Sequence, residues 1–311
     1  FSWRAGNPEN AGFKWEPEAW TWHDGQYTHA TPDEVAQLKP ADIPTAKALD
    51  NPVKYAYRTA MLVRGANPYV LIFDDIRKDD AEHRYEWLLQ TPSDLMLKGL
   101  QGDDVLLGVD GTPDAGLQML VRPLQVADTA DPRLRDAIAP MRYETYEVRR
   151  SANSGSTSRF GLGKRLVFSS QSVSPEFKVL LFPHRTGTAL PKTTWEDGHA
   201  RLHVDWDGQH DVLTFQRLPD GRTACGLTRN EGEAFLTIGL DRFSPKPGVT
   251  VQTDAPGANV AWEQGTLTVT GTGWQRLTIT GVPVTAIRHD GSVASEKATD
   301  NGLVLTERAI R

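Results

Sequence analysis

From about Tyr55 onward, apolar and polar residues alternate with a period of two, the mark of strands with one face in a core. Residues 60–64 and 69–74 are apolar runs on either side of Gly65-Ala66-Asn67-Pro68, which predicts a hairpin. Residues 83–90 put His83, Tyr85, Trp87 and Leu89 on one face of a strand and Arg84, Glu86, Leu88 and Gln90 on the other. Further strands are expected at 105–109, 117–122, 143–149, 165–169 and 177–182, then at 202–206, 212–215, 234–238, 266–269, 276–279, 284–287 and 303–306. Asp207-Gly208, Asp220-Gly221 and Asp290-Gly291 read as hairpin turns. Short strands without intervening helices predict an all-β protein: a large antiparallel β-sandwich followed by a small C-terminal β-sheet domain.

The first fifty residues have a different texture. Aromatic residues crowd the start, and Thr31-Pro32-Asp33-Glu34 predicts a short helix, with Thr31 as cap and Pro40 as its end. A second short helix fits the polar stretch between 128 and 141, and 151–158 reads as a Ser/Gly loop. A change of texture at 245–248 divides the rest. The expected segments are an aromatic entry segment at 1–54, the large sandwich at 55–244 and the small domain at 245–311.

Composition narrows the classes. With 39% hydrophobic and 24% charged residues, the chain is of ordinary globular type. A net charge of −6 speaks against a nucleic-acid partner, yet a local basic cleft on an acidic protein can still hold an acidic sugar. Cys225 is the single cysteine, so no intrachain disulfide forms. No apolar run approaches a membrane span. The chain opens at Phe1 in mid-pattern, without a charged-then-apolar leader, and is read as a piece of a longer protein.

Several signatures are absent. Gly161-x-Gly163-Lys164-Arg165 lacks the spacing and the Ser/Thr of a phosphate loop, and there is no nucleophile elbow and no His-Glu-x-x-His. No metal site and no cofactor is expected. Asp74-Asp75 and Asp79-Asp80 lack calcium-loop spacing; Asp75 is read as ending a strand and the others as solvated turn charges. His83, on the apolar face of its strand, is read either as a hydrogen-bonded core residue or as a substrate contact. His203, with Arg201 and Asp205, reads as a surface ion cluster. His184 and Arg185 fall at a strand end, where sandwich proteins place sites. Trp15, Trp20 and Trp22 either stack on sugar rings or fill an interface with another domain.

Three stretches carry a family resemblance: Tyr57-Arg58-Thr59-Ala60-Met61-Leu62-Val63, then Pro68-Tyr69-Val70-Leu71-Ile72-Phe73-Asp74-Asp75, then His83-Arg84-Tyr85-Glu86-Trp87-Leu88-Leu89. Together they resemble the sandwich of heparinase II/III-like polysaccharide lyases, and Phe177-Lys178-Val179-Leu180-Leu181-Phe182-Pro183 is similar to a later strand of that family. The resemblance covers residues 26–92 and 177–184. It implies an N-terminal (α/α) toroid, missing from this chain, that closes a cleft for an acidic polysaccharide or oligosaccharide outside the cytoplasm, in the periplasm or secreted. It also implies β-elimination, in which a Tyr or His takes the proton at C5 of a uronate and neutralising groups stabilise the enolate-like transition state. Where members often carry histidine before the arginine, this chain has Tyr55 and Tyr57, and Gln90 stands where the third strand often ends in histidine.

The resulting candidates are Tyr57, Arg58, Tyr55 and His184 for catalysis, and Trp15, Trp20, Trp22, His83 and Arg185 for substrate binding. A non-catalytic carbohydrate-binding or structural sandwich is the alternative. An accessory sandwich of a glycoside hydrolase would instead need two inward carboxylates at glycosidase separation.

Overall fold

The computed structural model describes residues 20–23, 26–29, 53–101, 103–109, 116–125, 141–148, 161–255, 257–291, 293–299 and 302–307. The chain divides into two compact units, 1–52 and 53–311. In the first, β1 (Trp20–His23) pairs antiparallel with β2 (Gln26–His29), placing Trp20 opposite His29 and Trp22 opposite Tyr27. The expected helix after Thr31 lies outside the described residues, as do residues 128–140 of the second. Among the described residues no helix occurs, so none is long and apolar enough to cross a membrane.

Among the described residues of the second unit the regular structure is strand, in four sheets. A three-stranded sheet has the order β5 (His83–Thr91), β10 (Gly161–Ser172), β9 (Met141–Val148). A six-stranded sheet runs β3 (Tyr55–Val63), β4 (Tyr69–Arg77), β11 (Glu176–Arg185), β8 (Leu117–Gln125), β7 (Asp104–Val109), β6 (Leu95–Gln101). An eight-stranded sheet follows, with β12 (Lys192–Glu196), β13 (Arg201–Trp206), β14 (Gln209–Arg217), β15 (Thr223–Arg229), β16 (Ala234–Ile238), β19 (Asn259–Glu263), β20 (Thr266–Thr270) and β22 (Ala286–His289). The last sheet has the order β17 (Arg242–Phe243), β18 (Thr250–Thr253), β21 (Arg276–Thr280), β24 (Gly302–Glu307), β23 (Val293–Thr299). Among the described residues all pairings are antiparallel except β20 with β22.

The six-stranded sheet is the middle layer. Leu71, Phe73, Leu120, Leu180 and Phe182 pack from one face onto Leu202, Val204, Leu213 and Leu227 of the eight-stranded sheet. From the other face Val105, Leu107, Val121, Phe177 and Val179 pack onto Trp87, Leu166 and Phe168 of the three-stranded sheet. Strands buried on both faces need apolar residues at consecutive positions, which is why 69–73 and 179–182 read as unbroken apolar runs. A separate core joins the far half of the eight-stranded sheet to the five-stranded one through Phe235, Val260, Trp262, Leu277, Ile279 and Leu305. The eight-stranded sheet thus holds strands from both sides of residue 245.

The Gly65–Pro68 hairpin forms, pairing Val63 with Tyr69. Asp207 and Gly208 close the two-residue β13–β14 hairpin with φ of 45° and 75°, the mirror-image turn that a twisted ribbon requires. Asp290-Gly291 is a correction: it links β22 to β23, which lie in different sheets, so it is a crossover rather than a hairpin. Asp74 is another. Instead of a solvated turn charge it is a buried residue inside β4, together with Asp75. The turn assignment holds for Asp79 and Asp80, which lie past the end of β4 and pair with His83, Lys54 and Arg77.

One fully buried carboxylate fixes the β3–β4 hairpin to the eight-stranded sheet. Asp211 accepts Nε–H and Nη2–H of Arg229 at 2.8 and 2.9 Å, the Tyr69 hydroxyl at 3.1 Å and Gln209 Nε2 at 2.8 Å. The Arg229 Nη1 donates onward to the Arg64 carbonyl at 2.6 Å. Truncating Asp211 to Ala leaves the guanidinium buried without its counter-charge, so Asp211→Ala should cost about 3–5 kcal/mol. Urea unfolding of the two proteins measures this. A loss within experimental error of zero would show that water replaces the carboxylate.

Candidate functional site

Period two places Tyr55 and Tyr57 on one face of β3 and Arg58 on the other. The tyrosine face looks toward the eight-stranded sheet. The rings of Tyr55 and Tyr57 lie nearly parallel, at 11°, with centroids 5.9 Å apart. Arg217, the last residue of β14, sets its guanidinium 5.5 Å from the Tyr55 ring centre, and Arg222 stands 5.9 Å from that of Tyr57. Between them, in the β14–β15 turn, Gly221 has φ of 90°, and a Cβ there would meet Tyr55 Cε1 at 2.5 Å. Only glycine lets this turn lie flat against the ring.

Arg217 organises the cluster. Its Nη2 donates to the Tyr55 hydroxyl and, at 3.3 Å, to Ser174 Oγ. Its Nη1 donates to Glu176 Oε1 at 3.0 Å and faces Asp75 Oδ1 at 3.5 Å. The Tyr55 and Ser174 oxygens are 3.3 Å apart, and Ser174 Oγ lies 3.0 Å from the Ile76 carbonyl. Deeper in, the buried Lys178 ammonium donates to Gln125 Oε1 at 2.8 Å and Glu176 Oε2 at 3.3 Å, beneath the Phe215 ring. The buried Asp75 carboxylate accepts Thr223 N–H and Thr223 Oγ1–H, both at 2.6 Å. The site is therefore assembled from β3, β4, β8, β11, β14, β15 and two turns, and it pairs each interior charge with its opposite.

The other candidates fall elsewhere. Arg58 reaches back over the three-stranded sheet's side, its planar fork on Asp74 at 2.8 and 2.6 Å and its guanidinium 6.0 Å from the Trp87 ring centre. Those charge-assisted bonds raise the Arg58 pKa further. His184 lies eight residues along β11 from Glu176, roughly 26 Å at about 3.3 Å per residue. It does not join Tyr55, Tyr57 and Arg58. The His184 ring is buried against Phe182, Nδ1 donating to the Arg185 carbonyl at 3.0 Å, and Arg185 itself is exposed at the strand end. His83 is half-buried, with Nε2 2.8 Å from Asp79 Oδ1 and its ring edge-on to Tyr85. Trp15 lies outside the described residues; Trp20 and Trp22 belong to the first unit's ribbon. His203 pairs with Glu196 at 2.9 Å and His210 with Asp205, the surface cluster expected of that face. Among the described residues no group of three or more His, Cys, Asp or Glu is placed to hold a metal ion.

Sequence reasoning missed Ser174, Glu176, Lys178, Arg217 and Thr223. Lys178 alone carried a signal: strand alternation sets it on the same face as Leu180 and Phe182, where a lysine needs an interior partner.

Burial raises the Asp75 carboxyl above its ordinary range, the bonds from Thr223 opposing this only in part. The folded state therefore keeps its proton to higher pH than the unfolded chain, whose aspartate ionises near about 3.9. Stability that Asp75 contributes is fully present below that value and is lost as pH rises through the folded one. Asp75→Asn removes this component while leaving an oxygen for Thr223. Melting temperatures of Asp75→Asn relative to the parent should improve on going from about pH 4 to about pH 7; a constant difference would refute the assignment.

Comparison of the chain with protein-family models and with curated proteins finds no match.

Proposed function

We propose that this chain is the sandwich portion of an extracytoplasmic polysaccharide lyase that cleaves a uronate-containing glycan by β-elimination, with Tyr55 as the proton-transferring residue. The observation that carries this reading is the Tyr55 hydroxyl held between Arg217 and Ser174 at the end of the sandwich. In the reaction the C5–H bond breaks and its proton goes to the Tyr55 oxygen. The electron pair forms the C4–C5 double bond, the C4–O bond breaks, and Tyr55 returns the proton to the leaving oxygen. Arg217 sets positive charge against the one oxygen that is negative before and after this exchange. Tyr57 supplies a partly exposed ring beside it for the sugar face. An (α/α) toroid elsewhere in the protein completes the cleft.

A second reading, a non-catalytic carbohydrate-binding or structural sandwich, is favoured by one observation. Arg58, Arg217 and Lys178 all face carboxylates of the chain itself, which holds them in place for architecture as well as for chemistry.

The two readings separate in one assay. This chain and the full-length protein are incubated with alginate, heparan sulfate, hyaluronan and ulvan, and the ultraviolet absorbance of a new unsaturated uronate is followed. The lyase gives a rise with the full-length protein, cut by about 100-fold or more in Tyr55→Phe and little changed in Tyr57→Phe. No rise with any glycan, alongside retained binding, decides for the binding module.

A further inference from the structure

Period two turns Leu202 and Val204 of β13 toward the six-stranded sheet, and Arg201, His203 and Asp205 away from it. The two-residue turn at Asp207-Gly208 sets the register, so His210 of β14 stands opposite Asp205 and diagonal to His203. The two imidazoles lie with ring centres 5.5 Å apart and planes 35° from parallel. One nitrogen of each ring is taken by a carboxylate. His203 Nε2 lies 2.9 Å from Glu196 Oε2 at the end of β12, which also accepts Arg201 Nη1 at 3.1 Å, and His210 Nδ1 meets Asp205 Oδ1. An ionised carboxylate only accepts, so these two ring nitrogens carry the protons. In the neutral rings that leaves lone pairs on His203 Nδ1 and His210 Nε2, and neither nitrogen has a protein partner among the described residues. With side chains 23% and 44% exposed, both rings are within reach of a solute.

Metal-ligating histidines are held in this way. A ligating imidazole gives its other N–H to a carboxylate, which fixes the tautomer and makes the free nitrogen more basic. The separation fits as well. With a metal–nitrogen bond of about 2.0–2.1 Å and the ring centre about 1.2 Å behind the nitrogen, two imidazoles sharing one tetrahedral or trigonal ion have centres roughly 5–5.5 Å apart. Imidazole ligands favour copper, nickel and zinc over calcium and magnesium, which take oxygen. We propose that His203 and His210 form a two-histidine site for a divalent transition-metal ion, with Glu196 and Asp205 as the carboxylates behind the rings and water completing the coordination. Such a site agrees with the lack, among the described residues, of any group of three or more metal-ligating side chains. Two protein nitrogens are fewer than a closed structural zinc site uses, so the ion exchanges with solution. The site is independent of the lyase reading, because this face of the eight-stranded sheet is turned away from Tyr55.

The test titrates this chain with copper(II), nickel(II) or zinc(II) salts in a non-chelating buffer and follows the heat of binding. His203→Ala and His210→Ala should each weaken binding by about tenfold or more, and Glu196→Gln, which keeps both rings, by about tenfold. His289→Ala, on another strand of the same sheet, should leave it within about twofold. Calcium and magnesium salts should give no heat of binding. Electron spin echo spectra of the copper-loaded chain should count two coordinated imidazoles, and one in either histidine variant. Binding that survives in the double variant His203→Ala, His210→Ala overturns the proposal, as does a single imidazole on copper in the parent. Calcium bound as well as zinc would assign the ion to the carboxylates and overturn it too, and so would a chain that takes up none of the three transition metals. These side chains lie on the surface, so the variants should melt like the parent without metal; His210→Gln replaces His210→Ala if the latter does not.

Discussion

The structure depends on a six-stranded sheet whose inner strands are covered on both faces. A strand in that position offers its side chains no solvent, so an ionised group there costs several kcal/mol unless it is paired and hydrogen-bonded. Each charge that enters the layer obeys this. Asp74 takes the fork of Arg58, Asp104 takes that of Arg122, Asp75 takes both donors of Thr223, and Lys178 sits between Gln125 and Glu176. Several of these partnerships cross between layers. Arg122 also reaches the Pro191 carbonyl, where the chain passes into the eight-stranded sheet, and Asp75 clasps the start of β15. The same bonds that make burial tolerable set the spacing of the layers.

Register then decides where these groups gather. Asp75 stands opposite Glu176, and Lys178 opposite Gln125, so β4, β11 and β8 deliver their polar residues to one end of the layer. β11, ten residues long, runs from that end to Arg185 at the other, where Asp211 and Arg229 anchor the β3–β4 hairpin and His184 is packed on Phe182. The two ends divide the work. One is closed by a buried carboxylate with four donors; the other carries a half-exposed tyrosine and two arginines at the rim.

Five of the six strands of this layer were legible in the sequence, all but β6, because consecutive apolar residues and tight turns leave local traces. Several others left none. β12 begins Lys192-Thr193-Thr194, β18 and β19 are only four and five residues long, and the buried part of β15 opens with Thr223-Ala224-Cys225-Gly226, small residues with no alternation to read. Asp74-Asp75 was misread for a physical reason: adjacent carboxylates look solvated until the tertiary fold supplies an arginine to one face and a threonine to the other. The site divides in the same way. Tyr55 and Tyr57 stood out only through the family resemblance, standing where its members often carry histidine before the arginine, whereas Arg217 and Ser174 are single residues at strand and turn ends, brought to Tyr55 from 162 and 119 positions away. No local pattern encodes a meeting of that kind.

The donor count of Arg217 constrains what the site can do. Both terminal nitrogens are engaged, by Glu176 and Asp75 on one and by Tyr55 and Ser174 on the other, which uses four of the five N–H groups a guanidinium offers. A substrate carboxylate cannot take the arginine's fork without displacing carboxylates already there. Arg217 therefore acts on the tyrosine rather than on the sugar, and Arg58, forked onto Asp74, is committed in the same way. In the proposed reaction the neutralisation of the uronate must come from a separate element facing Tyr55, the place that an (α/α) toroid would fill. In that reaction the sandwich positions one tyrosine with its own charges already paired, and the charge for the uronate is left to the second domain.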